Sequence, residues 1–275
     1  MVQRKERRQR LGNLRSACST SKSSKILKHL NVKERSVLLK HIIVSDKYKF
    51  LYCYTPKVAC SNWKRVVMVL DGVSDGFVKD HPHGLKYLYQ YSSKEIDYRL
   101  KNYFKFTFVR NPLERLLSAY RNKFGEIEDI MRTYGVKIKK RYGKSGASQQ
   151  EEYTGKIPGD DVSFEEFIRF LLDNSIVENM NEHWAPMHTL CQPCVVDYDF
   201  IGSYDNLYED SEKVLQQIKA PKDLHFPTRQ SYYSPSSLST TAYYYSVVNN
   251  TYLESLFAKY YQDFALFSYP FPKIK

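Results

Sequence analysis

Apolar residues in this chain recur at two periods, and the switches between them mark strand-to-helix units. Residues 49–54 (KFLYCY) form a short apolar and aromatic run ended by Thr55-Pro56, which predicts a buried strand. Trp63, Val66, Val67 and Leu70 then fall at i, i+3, i+4 and i+7, the spacing of one helix face, and Asp71-Gly72 stops the helix. A second unit repeats the pattern. Residues 104–109 read as a buried strand, and Pro112 sits where a helix begins. Leu113, Leu116, Leu117 and Tyr120 form its apolar stripe. Between the two units, residues 80–84 (DHPHG) form a loop. Ser92 and Glu95 make a capping box before a helix carrying Ile96, Leu100 and Tyr103.

The pattern continues downstream. Ser163 and Glu166 form another capping box, ahead of the stripe Phe164, Phe167, Ile168, Leu171. Residues 195–201 predict a strand, 207–219 a helix, and 227–238 a loop rich in hydroxyls. Thr251 and Glu254 are read as the cap of a last helix with stripe Leu253, Leu256, Phe257, Tyr260, Phe264. Strands alternating with helices predict an α/β fold, a central and mostly parallel sheet flanked by helices. No internal repeat or domain boundary is apparent, so one domain over residues 35–275 is expected. Residues 1–34 are basic and polar and predict disorder. Residues 137–161 are poor in apolar positions and predict a mobile insertion. Gly143-Lys144-Ser145 lies in that insertion. It is no Walker A loop, because the required first glycine would fall at Ile138 and no strand precedes it.

Charge narrows the partner. The net charge of +12 favours a nucleic acid, an anionic membrane or an acidic polysaccharide. No apolar stretch approaches the ~18–20 residues of a membrane-spanning helix, and no signal-peptide core follows the basic start. As written, the chain reads as soluble. The five cysteines, Cys18, Cys53, Cys60, Cys191 and Cys194, are too few for a disulfide scaffold. Cys191 and Cys194 form one CxxC with no second to complete a zinc site. Zinc would need Cys53, Cys60, Cys191 and Cys194 to converge in the fold; disulfides or buried thiols are the expectation. Asn249-Asn250-Thr251 is an N-glycosylation sequon and permits a secretory glycoprotein.

The two strand-to-helix junctions carry the chemistry. A helix starting near Ser61 points free backbone N–H groups at whatever lies before it. Lys57 adds positive charge, Ser61 and Asn62 add side-chain donors, and small Ala59 and Cys60 permit the close approach that glycine usually provides. At the second junction, Arg110 follows a strand at the sheet edge where α/β folds bind ligands. Arginine suits bidentate capture of phosphate, and Ser118 lies two turns along the following helix. The bland alternatives are a surface lysine at an ordinary turn and an Arg110–Glu114 pair. Two anion cradles suggest one ligand with two separated anionic groups.

Long segments around these cradles resemble a known family. They are PKVACSNWKR (56–65), FVRNPLERLLSAYRNKF (108–124), NEHWAPMHTLCQPCVVDYDFIGSY (181–204), LHFPTRQSYY (224–233) and DFALFSYPFP (263–272). The resemblance is to Golgi carbohydrate sulfotransferases, in the branch holding the HNK-1 and chondroitin/dermatan 4-O-sulfotransferases. NEHW, CQPC and FPTRQ are most similar to dermatan 4-O-sulfotransferase. Asn111 stands where relatives often have Glu.

The resemblance implies a P-loop-like sulfotransferase fold and the donor 3′-phosphoadenosine 5′-phosphosulfate (PAPS). Pro56, Lys57, Val58, Ala59, Cys60, Ser61 and Asn62 would take the phosphosulfate. Arg110, Asn111, Pro112, Leu113, Glu114, Arg115, Leu116, Leu117 and Ser118 would take the 3′-phosphate. The implied acceptor is an acidic glycosaminoglycan, dermatan or chondroitin, at the 4-hydroxyl of N-acetylgalactosamine; nucleic acid is not an implied partner. Lys64, Arg65, Arg121, Lys123 and Arg229 are candidates to attract it. The implied location is the Golgi, through an N-terminal anchor not visible in this chain.

No metal is expected, because no carboxylate cluster is evident and sulfate carries less charge than phosphate. The acceptor hydroxyl needs a base, and histidine suits that work near neutrality. His81 is the first choice, since its loop lies between the cradles; His83, His183 and His188 are the alternatives. His183-Trp184 has a second reading, in which the indole stacks on a sugar ring. Competing classes are a sulfotransferase for another glycan (terminal N-acetylgalactosamine or glucuronate), a non-catalytic glycosaminoglycan-binding module, and a P-loop nucleotide enzyme. The missing Walker A glycines count against the last.

Overall fold

A computed structural model of the chain describes residues 2–20, 27–74, 82–143, 157–173, 175, 180–227 and 238–271. Strands β1 (Ile42–Ser45), β2 (Phe50–Cys53), β3 (Lys86–Tyr87), β4 (Phe104–Val109) and β5 (Phe200–Ser203) form a sheet in the order β3-β1-β2-β4-β5. The sheet is mixed. β2, β4 and β5 run parallel, while β1 pairs antiparallel with both β2 and β3. The parallel strands are the ones the apolar runs marked. The β1–β2 hairpin adds an antiparallel edge that the sequence reading did not contain.

The helices are α1 (Val2–Thr20), α2 (Val32–His41), α3 (Cys60–Leu70), α4 (Ser93–Asn102), α5 (Pro112–Gly125) and α6 (Glu128–Ile130). A π-helical turn, Met131–Gly135, joins α6 to α7 (Val136–Tyr142). Then come α8 (Phe164–Leu172), α9 (Met187–Cys191), α10 (Leu207–Gln217), α11 (Leu238–Ser246) and α12 (Asn250–Phe267). Both expected capping boxes form: Ser92 N–H donates to Glu95 at 2.9 Å, and Ser163 N–H to Glu166 at 2.7 Å. The last helix starts two residues earlier than expected. Asn249, not Thr251, caps it, accepting the Thr251 N–H at 2.9 Å. The strand expected over 195–201 shortens to β5, because the N–H groups of Val195 and Val196 are spent on the Gln192 carbonyl in a turn.

The chain divides into two compact units. Unit 1 is Met1–Asn111, Ala185–Tyr233 and Gln262–Pro270; unit 2 is Pro112–Trp184, Ser234–Tyr261 and Phe271–Lys275. The units interleave along the sequence, so no linker composition marks them.

Unit 1 is built on the sheet. Trp63 of α3 is fully buried and packs on Phe106 at 4.8 Å, Phe108 and Phe226 at 5.4 Å, and Tyr52 at 5.6 Å. Gly202 pairs with Phe108, whose ring lies over it; an added Cβ would sit 2.3 Å from that ring. The N-terminal segment departs from the expected disorder over residues 2–20. α1 buries Leu14, Arg15 pairs with Asp197 at 3.1 Å, and Cys18 is bonded to Cys194. A covalent tether supplies what the polar composition lacks.

Unit 2 packs around Trp184, which is 1% exposed and ringed by Phe124, Tyr134, Phe167 and Phe170. The first part of the expected mobile insertion, residues 137–142, lies in α7, with Ile138 fully buried and Lys139 bridging Asp161 and Glu166 at 3.1 Å. Residues 144–156 lie outside the described residues.

Two predictions follow from unit 1. Burial raises the Asp46 carboxyl, but hydrogen bonds from Arg99, Tyr103 and Tyr91 outweigh it and hold it at about 2. A lowered carboxylate stabilises the fold above its ordinary value, and the contribution is lost between about pH 4 and pH 2. Asp46→Asn should therefore cost about 2 kcal/mol at neutral pH and flatten the acid limb of stability, measured by urea unfolding across pH. An unchanged acid limb would refute this. The Tyr52 hydroxyl is buried with no partner among the described residues. Removing such a group is neutral or stabilising by about 1 kcal/mol, so Tyr52→Phe should raise or preserve the urea midpoint.

Candidate functional site

β2 and β4 lie parallel with Cys53 opposite Thr107, so both exit at one sheet edge. Several bonds fix the path out of β2. A disulfide joins Cys53 to Cys191 of α9. The Thr107 hydroxyl donates to the Cys53 carbonyl at 2.9 Å. Tyr54 stacks on His41 at 4.8 Å, and Lys64 Nζ lies 3.6 Å from the Tyr54 ring centroid. Thr55 and Pro56 are buried.

The turn itself is strained. Lys57 and Ala59 have φ of 68° and 56°. The left-handed region costs a non-glycine residue ~1–2 kcal/mol, and such strain concentrates at functional turns. Val58 between them is fully buried and pins the turn. The Ala59 carbonyl then accepts from Asn62 and Trp63 N–H at 3.1 and 3.2 Å, so α3 begins abruptly. Its N-cap residue, Ala59, has no side chain to cap it, and its first turn holds no acidic residue. Its leading N–H groups face outward from the helix axis start, a setting for an anion. Ser61 is exposed; Lys57, Cys60 and Asn62 are partly so. Asn62 Oδ1 accepts from Arg65 at 3.3 Å, which leaves its amide N–H groups as donors.

Arg110 joins this cradle from the end of β4. It is 1% exposed, its Nη1 donates to the Lys57 carbonyl at 3.3 Å, and its guanidinium lies 4.1 Å from the Tyr204 ring centroid. The two predicted cradles thus meet at one bond. Among the described residues the assembled set is rich in cationic and N–H donors, and it fits an anionic group such as those PAPS carries.

The remaining residues of the second segment divide by burial. Pro112, Arg115, Leu116, Leu117 and Ser118 are buried, while Asn111, Leu113 and Glu114 are partly exposed. Arg115 Nη2 donates to the Glu182 carbonyl at 2.9 Å, and the Leu113 carbonyl accepts from the Tyr245 hydroxyl at 3.0 Å. These contacts brace α5 within unit 2.

The histidines fall in different places. His81 lies outside the described residues, as does Arg229. His83 is exposed. His183 Nδ1 pairs with Asn181 Oδ1 at 2.8 Å in unit 2. His188 Nδ1 pairs at 2.7 Å with Asp263, a fully buried carboxylate that also accepts the Met187 and His188 N–H groups. Trp184 cannot stack on a sugar in this fold, because its indole is core. Sequence reasoning missed Asp263, Tyr204 and Thr107. Asp263 had a signal, a carboxylate set among apolar stripe residues between Tyr260 and Phe264.

Comparisons with known proteins agree with the segments. The model of the sulfotransferase family matches residues 40–270. Carbohydrate sulfotransferase 14 of Homo sapiens is 48% identical over 265 residues, covering 95% of this chain and 68% of the relative. Carbohydrate sulfotransferase 11 of Mus musculus is 41% identical, covering 85% and 68%. Carbohydrate sulfotransferase 9 of Homo sapiens is 38% identical, covering 84% and 53%. No solved structure matches the chain significantly.

Cys60 offers a direct probe of the first cradle. It is the free cysteine, partly exposed at the start of α3, and the other four are paired. A maleimide should label it alone, and adenosine 3′,5′-bisphosphate should slow the labelling several-fold. An unchanged labelling rate at saturating nucleotide would separate this cradle from nucleotide binding.

Proposed function

The chain belongs to the sulfotransferase family, with carbohydrate sulfotransferases among its relatives, and on that premise we propose that it transfers a sulfuryl group from PAPS to the 4-hydroxyl of N-acetylgalactosamine in dermatan or chondroitin. The observation that carries this reading is the cradle in which Lys57, the α3 N-terminus and Arg110 converge. PAPS, when bound, supplies an activated sulfuryl group and a phosphate leaving group.

The chain's own residues have distinct tasks in this reading. Lys57 and the leading N–H groups of α3 stabilise charge developing on the bridging oxygen, an electrostatic role that needs no movement of the donors. Ser61 and Asn62 hold the phosphosulfate oxygens. Arg110 and Ser118 hold the 3′-phosphate, as in the resembling family. His81 takes the proton of the attacking hydroxyl. Positioning and electrostatics dominate the nearest template, phosphoryl transfer, and the same holds here.

Support for an acidic glycosaminoglycan comes from the net charge of +12 and from the relatives' shared carbohydrate chemistry. Binding should weaken with salt as exposed charges are screened. The matching location is the Golgi lumen, where glycosaminoglycans are sulfated. Among the described residues, no helix is long and apolar enough to cross a membrane.

Radiolabelled PAPS and a panel of desulfated glycosaminoglycans test the proposal. Label should appear at the 4-position of N-acetylgalactosamine after disaccharide analysis. Label on a terminal N-acetylgalactosamine or glucuronate would redirect the acceptor, and no transfer to any glycan would favour a binding module. Lys57→Ala should lower kcat by ~10²–10³. His81→Ala should abolish transfer while retaining adenosine 3′,5′-bisphosphate binding; near-normal turnover would remove His81 from the role.

A further inference from the structure

We propose that Asn249 carries an N-linked glycan in the folded protein. Asn249-Asn250-Thr251 is the sole Asn-X-Ser/Thr triplet in the sequence. A triplet alone is weak, since many are buried. Here Asn249 and Thr251 are both exposed, at the turn between α11 and α12 in unit 2. The local bonding divides the Asn249 side chain in two. Its Oδ1 accepts the Thr251 N–H at 2.9 Å and caps α12. Its backbone N–H donates to Glu165 at 3.2 Å, and its carbonyl accepts from Tyr252 and Leu253. The acceptor nitrogen, Nδ2, is not used in this set. A glycan on Nδ2 therefore leaves the cap and the fold intact.

A second observation concerns the compartment. Cys18–Cys194 and Cys53–Cys191 join residues far apart in sequence, and the latter is buried. Disulfides of this kind form in an oxidising lumen, which also holds the glycan-transferring machinery. This argument rests on the disulfides and not on the proposed acceptor. A third observation gives the glycan something to cover. Tyr243 and Val247, just before the triplet, are 68% and 59% exposed.

The transfer forms a bond from Nδ2 to the anomeric carbon of a lipid-pyrophosphate-linked oligosaccharide. The carbon–oxygen bond to phosphate breaks, the lipid pyrophosphate leaves with the electron pair, and Nδ2 loses one proton.

The full chain, produced through the secretory pathway of mammalian cells, should lose the mass of a single glycan on treatment with peptide-N-glycosidase. Asn249→Gln and Thr251→Ala should each abolish that loss. Thr251→Ala is the cleaner variant, because it keeps the Asn249 cap. Asn250→Gln should retain the glycan. Peptide mapping without reductant should find both disulfides in every variant, which separates a missing glycan from misfolding. Disulfide-bonded wild type without glycosidase-sensitive mass would overturn the proposal, and so would a shift that survives both Asn249→Gln and Thr251→Ala.

Discussion

The parallel pairing of β2 with β4 is the constraint on which the rest depends. Its register sets Cys53 against Thr107. Lys57 lies four residues beyond the first and Arg110 three beyond the second, so each chain leaves the sheet at one edge and the two can bond. A slip of one residue would turn Phe106 and Phe108 to the opposite face. That would strip Trp63 of the rings holding α3 on the sheet and part the Thr107 hydroxyl from the Cys53 carbonyl. The aromatic core and the anion cradle are therefore specified together.

The register also explains how a strained turn persists. Lys57 and Ala59 sit in the left-handed region without being glycine. A phosphate loop usually meets this demand with glycines. Here the surroundings over-determine the turn instead. Val58 is buried between the strained residues, Arg110 holds the Lys57 carbonyl, and the Cys53–Cys191 disulfide fixes the strand end behind them. The retained side chains have a use, because Lys57 puts an ammonium where glycine would have none.

What was legible in the sequence follows the physics of each signal. β4, α3 and α5 were legible because uninterrupted apolar runs and i, i+3, i+4 stripes report burial directly. Capping boxes at Ser92 and Ser163 were legible because they need only local residues. α1 was not legible, since its stability comes from a disulfide to Cys194 and few apolar contacts. Trp184 misled, because an aromatic beside a histidine reads equally as a sugar platform or as core. The cradle residues were visible as types, but the Arg110–Lys57 bond depends on strand order, which no local pattern encodes.

Arg110 and Lys57 also differ in a way that bears on the division of labour. Arg110 is buried, set over Tyr204 and bonded to a carbonyl, so its charge is fixed in place in surroundings of low polarity. Such a charge favours ground state and transition state alike unless the ligand's own charge moves. Lys57 is partly exposed, and its ammonium rides on a flexible stem. In the proposed reaction it would meet the charge that develops on the bridging oxygen. On that reading the buried guanidinium suits the phosphate that does not react, and the lysine ammonium suits the bond that breaks. In the proposed reaction one turn would thus serve both binding and catalysis, with two cations joined through one backbone carbonyl.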